Sequence, residues 1–206
     1  MGSLRIFGCL LLSVVLSGCF IQSFHPFYTE GSLIDLPEIT GAWQLVSQGS
    51  ENLADQYREP WQFEKNRIWT FEKGVSSRLD VKYFRVEGTL FADLVMAEPE
   101  EGSGPNKWWL LHTVPVHSVC KVQLSGDTVS FNPLNGDWLI GQIKKKKIIL
   151  SSMQLDEKGE HTVLTASSKE LSDFLKKYRD DAGAFPKDNA YTFRRPAAEG
   201  KDLKRP

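Results

Sequence analysis

The feature that most constrains the fold is a series of short strand-like runs between Gly41 and Arg194. Each run is rich in aromatic and β-branched residues and is bounded by residues that form turns. From Leu79 to Val86 the apolar residues fall mostly on alternate positions, as in a strand with one buried face, although Phe84 breaks the alternation. The pattern predicts a mainly β fold, an antiparallel β-barrel or sandwich, since closure removes exposed strand edges.

The predicted strands cover residues 41–46, 61–64, 67–72, 79–86, 89–96, 107–114, 116–124, 128–131, 148–153, 161–165 and 191–194. Between them, Asn135-Gly136 suits a type I′ hairpin turn. A short helix is the alternative that we favour, because Asp137 and the lysine run 144–147 complement the positive start and the negative end of a helix.

A C-terminal amphipathic helix is predicted over residues 168–181. Ser167 precedes the first turn of this helix and Glu170 lies within it. The two have the spacing of a capping box, in which each side chain bonds to the other residue's backbone amide. Four apolar residues recur at helical spacing and form one stripe for packing on a sheet: Leu171, Phe174, Leu175 and Tyr178.

The start of the chain has the order of a secretory leader. Arg5 precedes an apolar run over residues 6–16, and the small pair Ser17-Gly18 lies ahead of Cys19. The run is shorter than the roughly 20 apolar residues of a membrane-spanning helix. A buried core helix is the alternative. Leu16-Ser17-Gly18-Cys19 resembles a bacterial lipobox, which implies cleavage before Cys19 and attachment of diacylglycerol to its thiol.

The lipobox resemblance also implies a location. Phe20 follows the cysteine where lipoproteins of the inner membrane often have Asp, so we expect anchoring in the outer membrane, facing the periplasm. We expect four segments: a leader at 1–18, a lipidated arm at 19–40, a β-rich domain at 41–195 and a polar tail at 196–206. Pro26 and Pro37 among scattered aromatics favour an extended tether or docking arm.

The charge balance argues against a nucleic-acid-binding protein, and the cysteine content argues against an internal disulfide. Lys plus Arg number 25 against 26 Asp plus Glu, so the chain lacks the basic excess of a nucleic-acid-binding protein. If Cys9 leaves with the leader and Cys19 carries lipid, Cys120 has no partner for a disulfide. We expect Cys120 to be a small buried apolar residue.

Several segments along the chain resemble a family of uncharacterised bacterial lipoproteins. They are Ser23-Phe24-His25-Pro26-Phe27-Tyr28-Thr29, Leu90-Phe91-Ala92-Asp93-Leu94, His117, Pro133-Leu134-Asn135-Gly136-Asp137-Trp138-Leu139, and Leu164-Thr165-Ala166 through Phe174-Leu175. The resemblance implies an envelope location and one domain over most of the chain. It implies no activity.

Gly41-Ala42-Trp43 resembles the Gly-x-Trp of lipocalins. That resemblance implies a barrel whose floor is closed by Trp43, with Arg194 or Arg195 stacked on its indole. In such a barrel the candidates for lining a ligand cavity are Trp61, Trp69, Phe84, Phe91, Trp108 and Trp109. The alternative is that these side chains pack the core. Trp108 and Trp109 are adjacent, so at most one of them faces inward.

The sequence contains no motif that indicates an enzyme, a cofactor or a metal. His-Glu-x-x-His, paired cysteines and Gly-x-Ser-x-Gly are absent. His112 and His117 are an odd number of residues apart, which places them on opposite faces of a strand. Asp80, Glu87 and Asp93 are carboxylates whose spacing singles out no catalytic pair.

The leading hypothesis from sequence is a lipid-anchored envelope protein that binds a small apolar molecule or lipid. The alternative is an envelope interaction or assembly protein whose adhesive side chains are Phe24, Phe27 and Tyr28. An enzyme with a scattered site is a third, weaker hypothesis. The lysine run 144–147 suits either contact with anionic headgroups or a solvated helix end, and we favour the latter.

Overall fold

The computed structural model describes residues 21–54, 57, 59–72, 75–97, 113–156 and 161–196. The strands are β1 (Gln22–Ser23), β2 (Gly41–Gln48), β3 (Glu51–Asn52), β4 (Trp61–Phe63), β5 (Arg67–Glu72), β6 (Val75–Val86), β7 (Thr89–Met96), β8 (His117–Ser125), β9 (Thr128–Pro133), β10 (Ser152–Gln154), β11 (Thr162–Leu164) and β12 (Tyr191–Arg194). The helices are α1 (Gly136–Lys144) and α2 (Ser168–Tyr178), and Pro37–Ile39 forms one of the short 3-10 turns.

Eight strands form a closed antiparallel barrel, which confirms the predicted fold class. Their order is β8-β7-β6-β5-β4-β2-β12-β9, and β9 pairs back with β8 to complete the ring. The hairpin of β6 and β7 is the longest pairing, from Leu79 opposite Met96 to Val86 opposite Thr89. The three strands β10, β11 and β1 extend the sheet sideways from the start of β8.

The molecule has two apolar cores, one inside the barrel and one outside it. The inner core contains Trp43, Phe63, Val81, Tyr83 and Phe193 together with other side chains that face the barrel axis. The outer core lies where α1, α2 and residues 21–36 cover the outer surface of the barrel, although Ile34 and Leu36 at the end of this segment pack on the inner core. Its members include Phe27, Phe84, Phe91, Leu139, Leu171 and Phe174.

The second core explains why Phe84 breaks the alternation in β6. Val81 and Tyr83 face the barrel interior, whereas Phe84 and Val86 belong to the outer core. The end of β6 is therefore apolar on both faces, because both faces are covered.

Both predicted helices are present, and the second ends at Tyr178 rather than at the predicted residue 181. α1 begins after Asn135, whose side chain accepts a hydrogen bond from the Trp138 amide at 3.1 Å, so the hairpin-turn alternative is wrong. α2 begins with the predicted capping box of Ser167 and Glu170. The strand predicted at 107–114 lies mostly outside the described residues.

Residues 21–40 are part of the folded body, whereas the sequence predicts a tether or docking arm. Ile21 and Phe27 are buried in the outer core, and Ile39 is buried in the inner core. Phe27 is 0 % exposed, so its side chain is not at the surface for the adhesive contact that the alternative hypothesis gives it. The segment folds back because its apolar side chains gain more by covering the barrel than by remaining in water.

Candidate functional site

One end of the barrel is sealed around Trp43, and we call it the closed end. The Trp43 indole is fully buried, and its N–H donates to the Ile39 carbonyl at 2.6 Å. The guanidinium carbon of Arg195 lies 4.2 Å from the centre of the indole ring. Arg195 also donates to the carbonyls of Glu38 at 2.7 Å and Thr40 at 3.3 Å, which ties the 3-10 turn to the barrel.

The structure distinguishes between the two candidate arginines. Arg195 stacks on Trp43, whereas the Arg194 side chain is exposed. Gly41 is positioned by the same cluster: its φ is +126°, and a Cβ atom there would lie 2.9 Å from an Arg195 side-chain nitrogen. The glycine of the Gly-x-Trp motif therefore provides both the backbone conformation and the space for the arginine.

Aromatic rings pack the barrel next to the closed end. Phe193 contacts Trp61, Phe63 and Phe131, with ring centres 5.0, 5.5 and 5.9 Å apart. Phe63 also contacts Trp43 at 6.2 Å. These tilted and edge-on contacts are the geometries that aromatic rings prefer, so this half of the interior is a packed core.

The opposite end of the barrel, which we call the loop end, has a different construction. At the closed end the strands are joined by tight turns at 64–66, 87–88 and 126–127. At the loop end the connections include 49–60, 97–116 and 134–190. Partly buried apolar side chains pack on the inner core at this end, among them Leu79, Leu94 and Tyr191.

Two polar groups of the inner core have no hydrogen-bond partner among the described residues. They are the Tyr83 hydroxyl and the Trp61 indole N–H, and both are buried. Buried polar groups are nearly always hydrogen-bonded, because an unpaired one loses its hydration without compensation. An unpaired hydroxyl and an unpaired N–H can each donate to a polar group of a bound molecule.

Burial also raises the pKa values of two groups in the inner core. It raises the pKa of the Tyr83 hydroxyl well above its ordinary value. Burial, with a smaller contribution from the Asp93 carboxylate, raises the pKa of the Cys120 thiol to about 12. Cys120 is buried, as expected, and it stays a neutral thiol at physiological pH, which is not the state of a nucleophilic cysteine.

The structure brings only part of the predicted cavity lining into the barrel. Trp61 packs on the inner core. Ile68 packs in the inner core, so its neighbour Trp69 points to the opposite face of β5. There the guanidinium carbon of Arg78 lies 5.8 Å from the centre of the Trp69 ring. Trp108 and Trp109 lie outside the described residues.

Phe84 and Phe91 do not line the barrel, which corrects the prediction for both. Their rings stack with centres 5.5 Å apart in the outer core, and Phe91 also contacts Phe185 at 5.7 Å. They point outward because residues 21–36 and the two helices supply a second apolar layer for them.

A buried Asp93–His117 pair is the polar centre of the outer layer. Asp93 is 2 % exposed; its Oδ2 accepts from the Phe27 amide at 2.8 Å and its Oδ1 accepts from His117 Nδ1 at 2.6 Å. Ser23 pairs with His117 across the strands, and its buried hydroxyl donates to the Leu164 carbonyl at 3.4 Å. These contacts attach the 21–36 segment to the barrel.

Sequence reasoning considered Asp93 and His117 separately and did not pair them. The available signal was the lipoprotein resemblance, since Ser23, Phe27, Asp93, His117 and Leu164 all belong to the segments that carry it. The Ser23 hydroxyl also accepts from the His25 amide at 3.1 Å and is inaccessible, so it is not positioned as a nucleophile. Among the described residues there is no group of three or more His, Cys, Asp or Glu that could hold a metal ion.

A surface cleft of about 360 Å³ lies beside α2, away from the barrel interior. Its walls carry Ile148, Phe174 and Tyr178 together with charged groups of both signs, including Lys177 and Asp173. The cleft is open to solvent and combines apolar with charged side chains.

The fold and site define a small, closed antiparallel β-barrel with one sealed end, a second core on its outer surface and buried unpaired donors inside. No protein-family model, curated protein or solved structure matches the chain. Within the part of the chain that the structure describes, no helix has both the length and the apolar character needed to cross a membrane.

Proposed function

We propose that this chain is a lipid-anchored protein of the bacterial cell envelope whose barrel binds a small, mainly apolar molecule. The leader and the lipobox Leu16-Ser17-Gly18-Cys19 support the anchoring, and Cys19 is the proposed attachment site. Two or more acyl chains bind a protein firmly to a bilayer, whereas one chain binds only marginally. The proposed location is the outer membrane, facing the periplasm.

The difference between the two barrel ends is the observation that carries the ligand-binding proposal. Trp43, Arg195 and the Pro37–Ile39 turn block the closed end. Apolar side chains at the loop end are only partly buried, which is the arrangement expected of an entrance. Barrels of eight strands have an interior that side chains fill or that holds one small ligand.

The buried donors indicate the chemistry of the proposed ligand. The Tyr83 hydroxyl and the Trp61 N–H are surrounded by apolar side chains of the inner core. A fatty acid, a sterol-like molecule or another lipid with one accepting oxygen matches a site of this kind, in which few polar groups fix the orientation of an apolar body.

Binding can be tested by native mass spectrometry of the purified protein after incubation with lipids extracted from its own cells. We expect a retained ligand, and we expect Tyr83→Phe to weaken its binding about tenfold, since one lost hydrogen bond costs about 1 kcal/mol or slightly more. Tyr178→Phe is the matched control, because Tyr178 packs on the outer core. Failure to retain any lipid, or equal effects of both variants, would contradict a ligand site in the barrel.

A further inference from the structure

We propose that the β10–β11 hairpin and the neighbouring barrel edge lie against the bilayer that contains the lipid of Cys19. This inference depends on the proposed lipid anchor and adds the orientation of the folded body on the membrane. It places one defined surface of the protein in contact with lipid.

The first argument is the short chain between Cys19 and the folded body. Ile21 is already buried in the outer core, and Gln22 pairs with Val163 of β11. Two residues of extended chain span at most about 7 Å. The Cα atom of Cys19 therefore lies within about 7 Å of that of Ile21, and the body has no long tether that would let it turn freely.

The second argument is the position of the exposed apolar side chains. Among the described residues, the large apolar side chains that remain exposed are Met96, Val114, Ile149, Met153 and Leu155, at 63, 65, 93, 45 and 55 % exposure. We call these five the apolar rim. Large exposed apolar side chains that share a surface mark an interaction site.

The members of the apolar rim lie on the strands around β1 or next to them in sequence: Met96 ends β7, Val114 precedes β8, and Ile149, Met153 and Leu155 lie before, within and after β10. Met153 is opposite Val163, which is opposite Gln22. On the other side, Ser23 is opposite His117, which is opposite Val95, the neighbour of Met96. The strand order β10-β11-β1-β8-β7 contains four strand spacings, so these strands span about 19 Å with the anchored end of the chain in the middle.

Charge near the apolar rim favours a membrane over a protein partner. Lys144 ends α1, and the exposed lysine run 144–147 leads within two residues to Ile149. Lysines beside exposed apolar side chains are typical of surfaces that bind membranes at the headgroup level.

The orientation can be measured with environment-sensitive fluorophores on single introduced cysteines. The lipidated protein carries Met153→Cys or, as a matched control, Glu64→Cys in the turn between β4 and β5 on the other side of the barrel. Cys120 is buried and does not compete for the label. The vesicles are phosphatidylcholine, with and without phosphatidylglycerol.

We expect the label at 153 to shift to the blue and to lose most of its quenching by aqueous iodide, while the label at 64 stays fully quenched. Met153→Cys combined with Ile149→Ser and Leu155→Ser should restore several-fold more quenching, because these exposed side chains contribute to contact rather than to folding. Replacing the four lysines by glutamine should reduce the added protection that phosphatidylglycerol gives.

Mass measurement of the Cys19 peptide separates the two proposals. Lipid on Cys19 with equal quenching at 153 and 64 would overturn the orientation and leave the anchor intact. Absence of the lipid would overturn both. Protection at 153 that persists in detergent and rises with protein concentration would overturn the orientation in favour of contact between two copies.

Discussion

Asp93 is a carboxylate buried in an apolar layer, with both of its oxygens engaged. It binds the Phe27 amide and the His117 ring, which come from segments far apart in the sequence. A buried carboxylate is costly unless it is fully hydrogen-bonded, so its partners are as important as its charge. The pair has the geometry of a structural clamp between the barrel and the 21–36 segment.

Asp93→Ala should lower the free energy of unfolding by about 3 kcal/mol, because it leaves the Phe27 amide and His117 without their acceptor. Urea denaturation monitored by tryptophan fluorescence measures this change. Asp173→Ala is the control: its ion pair with Lys169 is exposed, so we expect a change below about 0.5 kcal/mol. Similar losses in both variants would contradict the clamp.

Cys120 and Tyr83 should make the free energy of unfolding depend on pH in the alkaline range. Burial raises the pKa of both groups, that of Cys120 from 9.0 to about 12. The folded protein therefore holds these protons more tightly than the unfolded chain does. Stability should be constant below about pH 9 and should fall as the pH rises toward 12, because only the unfolded chain gains by deprotonation.

Urea denaturation at a series of pH values between 7 and 11 checks this expectation. Tyr83→Phe should make the alkaline decline shallower, since it removes one of the groups whose pKa is raised by burial. Tyr178→Phe should leave the decline unchanged, because that ring packs on the outer core rather than inside the barrel. A decline of the same slope in the Tyr83 variant would show that other groups cause it.

At the scale of elements, the start of β2 closes the barrel. Gly41 precedes Trp43, and the Arg195 guanidinium lies over both the ring and the space where a Gly41 side chain would project. The same arginine holds the preceding 3-10 turn through two carbonyls. The closed end therefore depends on the start of β2 and on Arg195, which follows β12.

Gly41→Ala should destabilise the protein by about 1–3 kcal/mol, because φ of +126° is strained for a side chain and the new methyl meets Arg195. Thermal unfolding followed by circular dichroism measures the loss. Gly31→Ala is the matched control, since nothing lies within 4 Å of its Cβ position and its φ is not positive. A stability close to wild type in Gly41→Ala would mean that the closed end can rearrange.

At the scale of the whole molecule, the barrel is one layer of a two-core body. Residues 21–36 and the helices bury the outer surface of β6, β7 and β8, and without them Phe84, Phe91 and Val119 would face water. We therefore expect a barrel that begins at residue 41 to be incomplete on its own.

Removal of residues 21–40 should leave a protein that aggregates or binds the dye ANS, because it exposes apolar surface of both cores. Solubility and dye fluorescence of the truncated protein measure this. Removal of residues 197–206, which the sequence predicts to be a polar tail, is the control and should change neither. A soluble, cooperatively unfolding chain that begins at residue 41 would contradict the two-core description.

Local sequence determined the elements of this protein. The alternation from Leu79 to Val86, the turn at Glu87-Gly88 and the capping box at Ser167 act over a few residues, so the sequence alone predicts a barrel-type β fold with a late helix. Barrel closure itself was one of two alternatives, since a sandwich uses the same pattern of strands.

Tertiary structure decided which face of each strand points inward and which distant residues meet. Alternation separates two faces of a strand but does not say which is inside when both are covered. Phe84 and Phe91, candidates for lining a cavity in the barrel, therefore lie in the outer core instead. Asp93 and His117 meet only because β7 and β8 pair in one register. Such contacts depend on chain segments far apart in sequence, and their positions follow from packing and register rather than from any local pattern.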